Sequence, residues 1–149
     1  MLGGLADLFA ATNDTTLLEA GTHIADAVMA RLVVNVTTST NVTVSILSEP
    51  QTISAQDGDL FKGIFMRNLG RFADAFPVGD GRRIRFRAFI AQNVRYIQAH
   101  ASTPNHLYGG LWQGPVDAKA APCKQPGHVA CGNATGAVPQ ISALLLLAA

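Results

Sequence analysis

The stretch Asp57-Gly-Asp-Leu-Phe-Lys-Gly-Ile-Phe-Met-Arg-Asn-Leu-Gly places two carboxylates and an amine at the head of a run with helical periodicity. At the mouth of a groove, such a trio can bind a polyhydroxylated substrate: Asp57 and Asp59 accept hydrogen bonds from hydroxyls, and Lys62 donates. The same residues also suit a plainer task. Asp57 or Asp59 can cap the helix, and both complement its dipole. Lys62 fits that plainer task less well, because a cation in the first turn opposes the dipole. The second candidate is Trp112, the only tryptophan, set in Gly-Gly-Leu-Trp-Gln-Gly-Pro with Tyr108 nearby. Its ring can stack on a sugar face or anchor the loop against the helices. Asp117, five residues on, can hydrogen-bond a sugar hydroxyl or stand in solvent.

Other chemistries find little support. His23, His100, His106 and His128 are scattered, without the HxxxH or HExxH spacing of a metal site. There is no glycine-rich phosphate loop and no triad signature, so no cofactor or metal is expected. Arg82, Arg83, Arg85 and Arg87 lie within Arg-Arg-Ile-Arg-Phe-Arg and spread around a helix, which predicts a solvated surface. With a net charge of +1, nothing argues for a nucleic-acid partner. Asp57 and Asp59 at a helix N-terminus stay ionised at neutral pH and so supply no general acid.

Only 14% of residues are charged, against roughly 25% in ordinary soluble domains. The mean hydropathy is nevertheless positive. No apolar run approaches the ~20 residues of a membrane span, and the terminal Ile141–Ala149 segment is too short to serve as one. A greasy chain without a span is what a piece of a larger helical protein looks like, with helix sides that pack on absent neighbours. No basic n-region or small-residue cleavage site follows Met1. Four sequons begin at Asn13, Asn35, Asn41 and Asn133, a number that points to a secreted or cell-wall glycoprotein. Cys123 and Cys131 lie in a Pro- and Gly-rich loop with seven residues between them. Given secretion, a local disulfide is the expectation, and two free thiols the alternative.

These residues must be positioned by helices. Leu2, Leu5, Leu8 and Phe9 form the apolar stripe of a first helix, broken by Thr-Asn-Asp-Thr-Thr. Thr16 with Glu19 reads as a capping box opening a second helix that runs to Leu32. On its apolar face Gly21 is small enough for a close helix crossing. The segment 33–47 changes period, is rich in β-branched residues, and predicts a β-hairpin excursion. A third helix spans 59–76, with Phe61, Phe65, Leu69, Phe72 and Phe76 as its core stripe. Asp80 caps a fourth over 82–100. The long irregular stretch 102–137 carries Trp112 and both cysteines, and 138–149 is a last apolar helix.

Several segments occur in a recognisable order: LGGLADLFAATNDTTLLEAGTHIADAVMARL, LSEP, DGDLFKGIFMRNLGRFADAFP, GLWQGP and PQISALLLLAA. In that order they resemble the C-terminal portion of glycoside hydrolase family 76, the endo-α-1,6-mannanases and fungal cell-wall mannosidase-like proteins. The strongest match runs from Asp59 through Arg67. The weaker ones are Glu49-Pro50, Gly110-Leu111-Trp112 with Gly114-Pro115, and Gln140-x-Ser142-Ala143-Leu144. The resemblance covers nearly all of 1–149 except the 33–47 excursion and the cysteine loop. It implies an all-α fold, part of an (α/α)6 toroid, with about five helices in antiparallel hairpins as one C-terminal segment of a glycosidase domain.

The resemblance also implies a retaining mechanism with two adjacent aspartates, which needs carboxyl groups about 5–5.5 Å apart. The ten acidic residues include no Asp-Asp pair. No catalytic residue is therefore assigned, and the missing N-terminal half of the domain is expected to carry the pair. The head of the third helix would lie near the groove, so Asp59, Lys62, Trp112 and Asp117 are the candidate contacts to α-mannan or mannoprotein glycan. The alternative is a non-catalytic helical module that binds glycans or a protein partner. A third reading, in which the terminal Leu-rich tail belongs to a lipid-anchor signal, explains the tail less well than the family's final helix does.

Overall fold

The computed structural model describes residues 1–48, 58–115 and 137–149, with side chains at 1–48, 60–115 and 142–149. Its elements are α1 (Leu2–Thr12), α2 (Thr15–Arg31), β1 (Val33–Thr37), β2 (Thr43–Leu47), α3 (Gly58–Asp74), α4 (Gly81–His100) and α5 (Ala137–Leu147). The fold is helical with one small antiparallel hairpin, as the periodicity predicts. β1 and β2 pair with Val33 opposite Leu47 and Thr37 opposite Thr43.

Three helix ends have a local cause. The N-cap of α2 is Asp14, not Thr16. The Asp14 carboxylate accepts from both the backbone N–H and the hydroxyl of Thr16, so the expected capping box is replaced by a shorter local bond. Asp80 caps α4 as expected, taking the Arg82 N–H at 2.7 Å. α1 stops at Asn13, whose φ of 55° makes the left-handed turn that asparagine tolerates.

α3 is the pillar of the molecule. One side carries α5, and the approach is close enough to need glycine. A Cβ on Gly63 would lie 2.3 Å from the Ser142 carbonyl oxygen, and one on Gly70 would lie 2.5 Å from that of Ala149. The backbones of α3 and α5 run parallel, residue 63 beside 142 and 70 beside 149. A second side carries α1, where Asn68 sits against Gly3 and Arg71 pairs with Asp7 at 2.6 Å. That crossing is parallel too, with 68 beside 3 and 71 beside 7. A third side buries Phe72 against Gly21 of α2, the close crossing that the small residue permits. Phe72 stacks edge-on to Phe76 with centroids 5.2 Å apart, and Phe86 of α4 completes the group at 6.0 Å from Phe72. Three buried phenylalanines in mutual contact form the densest apolar knot of the core.

The phenylalanine stripe is not uniformly core. Leu69, Phe72 and Phe76 are buried, Phe65 is partly buried against the core, and Phe61 is 51% exposed. Phe61 is thus a correction to the expected core stripe. Among the described residues, no helix covers it. Ile84, on α4's first turn, is likewise exposed at 59%.

The four arginines between residues 82 and 87 are not merely solvated. Arg85 reaches Asp26 of α2, Arg83 and Arg87 both reach Asp74 of α3, and Arg87 also donates to the Ala149 carbonyl. Each exposed pair stabilises little by itself, but together they fix α4 against three neighbouring helices. The hairpin is docked by Asn93, a polar residue of α4 that the sequence reading did not single out. Wholly buried, it accepts the Leu47 N–H at 2.8 Å and donates to the Phe89 carbonyl at 3.0 Å.

Two predictions follow from this packing. Gly63→Ala forces the α5 backbone away from α3 and strains the Gly63 N–H to Ser142 Oγ bond. Its urea midpoint should fall by the equivalent of about 2 kcal/mol, within the range for overpacking a tight contact. Arg82 hydrogen-bonding holds the Asp80 carboxyl below its usual value, at about 2. Its contribution is therefore complete above the ordinary carboxylate pKa and is lost as pH falls through about 2. Thermal melts between pH 4 and 2 should fall less steeply for Asp80→Asn than for the parent, the variant starting from a lower Tm.

Candidate functional site

The residues singled out for sugar chemistry meet, as far as they are described, at the head of α3. Lys62 sits one turn into the helix and is 4% exposed. Helical periodicity turns it away from the α1 side and towards the 101–115 loop. Its ammonium lies 5.6 Å from the centroid of the Trp112 ring, a cation–π geometry. Lys62 is therefore not a solvated side chain. The amine is drawn in over an indole, which compensates for its place against the helix dipole.

Trp112 is held by a loop that the end of α4 organises. The Gly109 N–H donates to the Ala101 carbonyl, Ser102 bridges to Tyr108, and Thr103 N–H donates to the Leu107 carbonyl at 2.8 Å. His106 makes the turn with φ 58°. Tyr96 of α4 donates its hydroxyl to the Gln113 carbonyl at 3.1 Å, fixing the backbone beside the tryptophan. The ring ends up 1% exposed. In this structure it offers no open face for stacking, so it acts as the loop's anchor. Its Nε1–H is buried and meets no acceptor among the described residues, a costly arrangement for an indole.

Of the remaining candidates, Asp59 contributes only backbone to the description, as a residue of the first turn of α3. Its side chain, together with Asp57, Asp117, Cys123, Cys131 and Asn133, lies outside the described residues. Asn13, Asn35 and Asn41 are all exposed. Asn35 accepts from Ser45 across the hairpin, and Asn41 occupies the turn between the strands with φ 58°.

Five of the six described carboxylates are occupied with structural tasks, the exception being Glu19 on the exposed side of α2. Asp7, Asp26, Asp74 and Asp80 are bonded to arginines, and Asp14 caps α2. The fold pushes the pKa of Asp14 and Asp80 down, through the hydrogen bonds of Thr16 and Arg82 respectively. A general acid for glycoside cleavage requires the opposite shift. Sequence reasoning missed Tyr96 and Asn93, the residues that lock the loop and the hairpin. A polar residue inside an otherwise apolar helix face was the available signal for both.

A scan against family models finds no match, and a comparison with curated proteins finds none either. Solved structures do match. The chain superposes on the GH76A α-1,6-mannanase from Salegentibacter sp. HEL1_6 with a TM-score of 0.68 at 22% identity. Two inactive variants of that enzyme, in complex with α-1,6-mannotriose and α-1,6-mannotetrose, match with TM-scores of 0.67 and 0.66. In each case 99% of this chain is covered but only 36% of the mannanase chain. The fold is thus that of a part of the glycoside hydrolase family 76 helical toroid, and the chain spans about a third of the length of the structures it matches.

Two substitutions separate the anchoring role of Trp112 from its orphan donor. Trp112→Ala should lower unfolding stability by about 3–5 kcal/mol in urea titrations, the cost of truncating a buried aromatic. Trp112→Phe fills most of the space and removes the unpaired N–H, and should stay within about 1 kcal/mol of the parent.

Proposed function

We propose that this chain is the C-terminal segment of a secreted or cell-wall glycoside hydrolase acting on α-1,6-linked mannan, as a retaining endo-mannosidase or a transglycosidase. The observation that carries the reading is the match of its whole length to one third of an α-1,6-mannanase, including structures holding α-1,6-mannooligosaccharides. The head of α3 supplies the local chemistry: Lys62 beside Trp112, with Asp59 on the same turn and Asp117 following the loop. Convergent hydrogen-bonding groups at one helix head are what a sugar subsite requires. With the indole enclosed, its part is to position Lys62 and the 101–115 loop.

The segment by itself is inactive in this reading. Retention needs two carboxyl groups about 5–5.5 Å apart, and of the described carboxylates all but Glu19 are tied to an arginine or a cap. The adjacent aspartates would come from the N-terminal half of the same domain. Secretion rests on the sequons, three of which sit on exposed backbone, and the Cys123–Cys131 disulfide rests on secretion. The alternative, a non-catalytic helical module that binds glycan, shares the same subsite and differs in having no catalytic half.

The test uses the single tryptophan. Its indole N–H gives one resolved NMR signal, which should shift when α-1,6-mannotriose is titrated to millimolar concentration and stay fixed with an α-1,4-linked glucotriose. Lys62→Ala should abolish the shift. An indole signal indifferent to mannotriose overturns the subsite. Release of oligosaccharide from α-1,6-mannan above a heat-killed control overturns the inactivity.

A further inference from the structure

The 33–47 hairpin has one outer edge closed and one open. The Thr38 N–H donates to the Val42 carbonyl and the Ser48 N–H to the Leu32 carbonyl, both in register with the ladder. Antiparallel bonding alternates along a strand. Val34 and Val36 therefore turn their backbone groups to β2, and Val33, Asn35 and Thr37 turn theirs outward. The same alternation aims Ser45 and Leu47 away from β1, where α4 closes the edge. Gln92 donates to the Ser45 carbonyl at 2.9 Å, and the Leu47 N–H donates to Asn93. The outward backbone groups of Asn35 and Thr37 meet no partner among the described residues. Open edges are commonly blunted by charge, proline or a bulge. Residues 33–47 include no charged residue and no proline, and all five residues of β1 pair in sequence without a bulge.

The middle of that open edge is a sequon, Asn35-Val36-Thr37, with Asn35 and Thr37 both exposed. The Asn35 side chain is held in place, its Oδ1 accepting from Ser45 Oγ across on β2 at 2.7 Å. A carboxamide is planar and carries its nitrogen on the opposite branch. With the oxygen turned to β2, Nδ2 is turned over the outer edge. Asn41 lies past the strands in the turn, and Asn13 ends α1. A glycan at either of those would stand clear of the β1 edge.

We propose that Asn35 carries an N-linked glycan that covers the outer edge of β1 and keeps a second copy of the chain from adding a strand there. In the transfer, Nδ2 forms a bond to C1 of the first sugar of a lipid-linked oligosaccharide diphosphate. The C1–O bond to phosphate breaks, the lipid diphosphate leaves with the electron pair, and Nδ2 gives up a proton. The inference rests on the secreted or cell-wall part of the proposed function and is independent of mannan binding.

The test produces the full chain twice, in a bacterial cytosol without N-glycans and behind a cleavable leader in a eukaryotic secretory host. Enzymatic glycan release in heavy-oxygen water marks each occupied asparagine for peptide mass mapping, and Asn35 should be marked. In sedimentation the bacterial chain should self-associate at least about tenfold more tightly than the glycosylated one. Thr37→Pro removes an outward N–H without touching a β1–β2 backbone bond, and should disperse the bacterial dimer. Asn35→Gln in the secreted chain should restore association. An unmarked Asn35 in a chain marked at Asn41 overturns the proposal. Equal association of the two forms, or a dimer indifferent to Thr37→Pro, overturns it as well. Failure of the secreted reading looks different: protein from its natural source would be insensitive to endoglycosidase while Asn35 is still marked in the secretory host.

Discussion

The contact on which the rest of the structure depends is the close parallel crossing of α3 and α5. Gly63 and Gly70 let two backbones meet where any side chain would hold them apart, and the Gly63 N–H donates to Ser142 Oγ at 3.2 Å. With that side closed, α3 has its remaining faces free for α1, for the Phe72–Gly21 crossing with α2, and for α4. A helix gripped on four sides cannot rotate. Lys62 is therefore presented by a rigid element, which is the condition under which a binding group keeps its geometry.

Charge is used economically here. Asp7, Asp26, Asp74 and Asp80 each hold an arginine, and three of those bonds tie one helix to another across the sequence. This is a consequence of a chain poor in charged residues: the few it has are spent on registering helices whose apolar sides alone would slide. It also explains why the described carboxylates are poor candidates for proton transfer, which needs a carboxyl kept neutral rather than one held ionised by a cation.

Much of this was legible in the sequence. The 3.6-residue periodicity located the helices, the β-branched run located the hairpin, Asp80 announced a cap, and Gly21 announced a close crossing. What was not legible depended on the third dimension. Phe61 has the same spacing as Phe72, but only Phe72 meets Gly21 of α2 and Phe86 of α4. The pairing of Lys62 with Trp112 could not be read from the sequence, because the ring is fifty residues away in the chain. Thr16 was an acceptable cap, but Asp14 two residues earlier offered a stronger, charged acceptor. Gly63 and Gly70 read as ordinary helix residues until α5, distant in sequence, is laid against them.

The most direct test of this account is native-state hydrogen exchange, residue by residue. If α3 is the pillar, amides from Met66 to Ala73 should exchange only through global unfolding, with the same free energy as the denaturant-derived value, while those of the hairpin and of α1 open at lower cost. Exchange of the α3 amides by local opening, faster than that of α4, would contradict it.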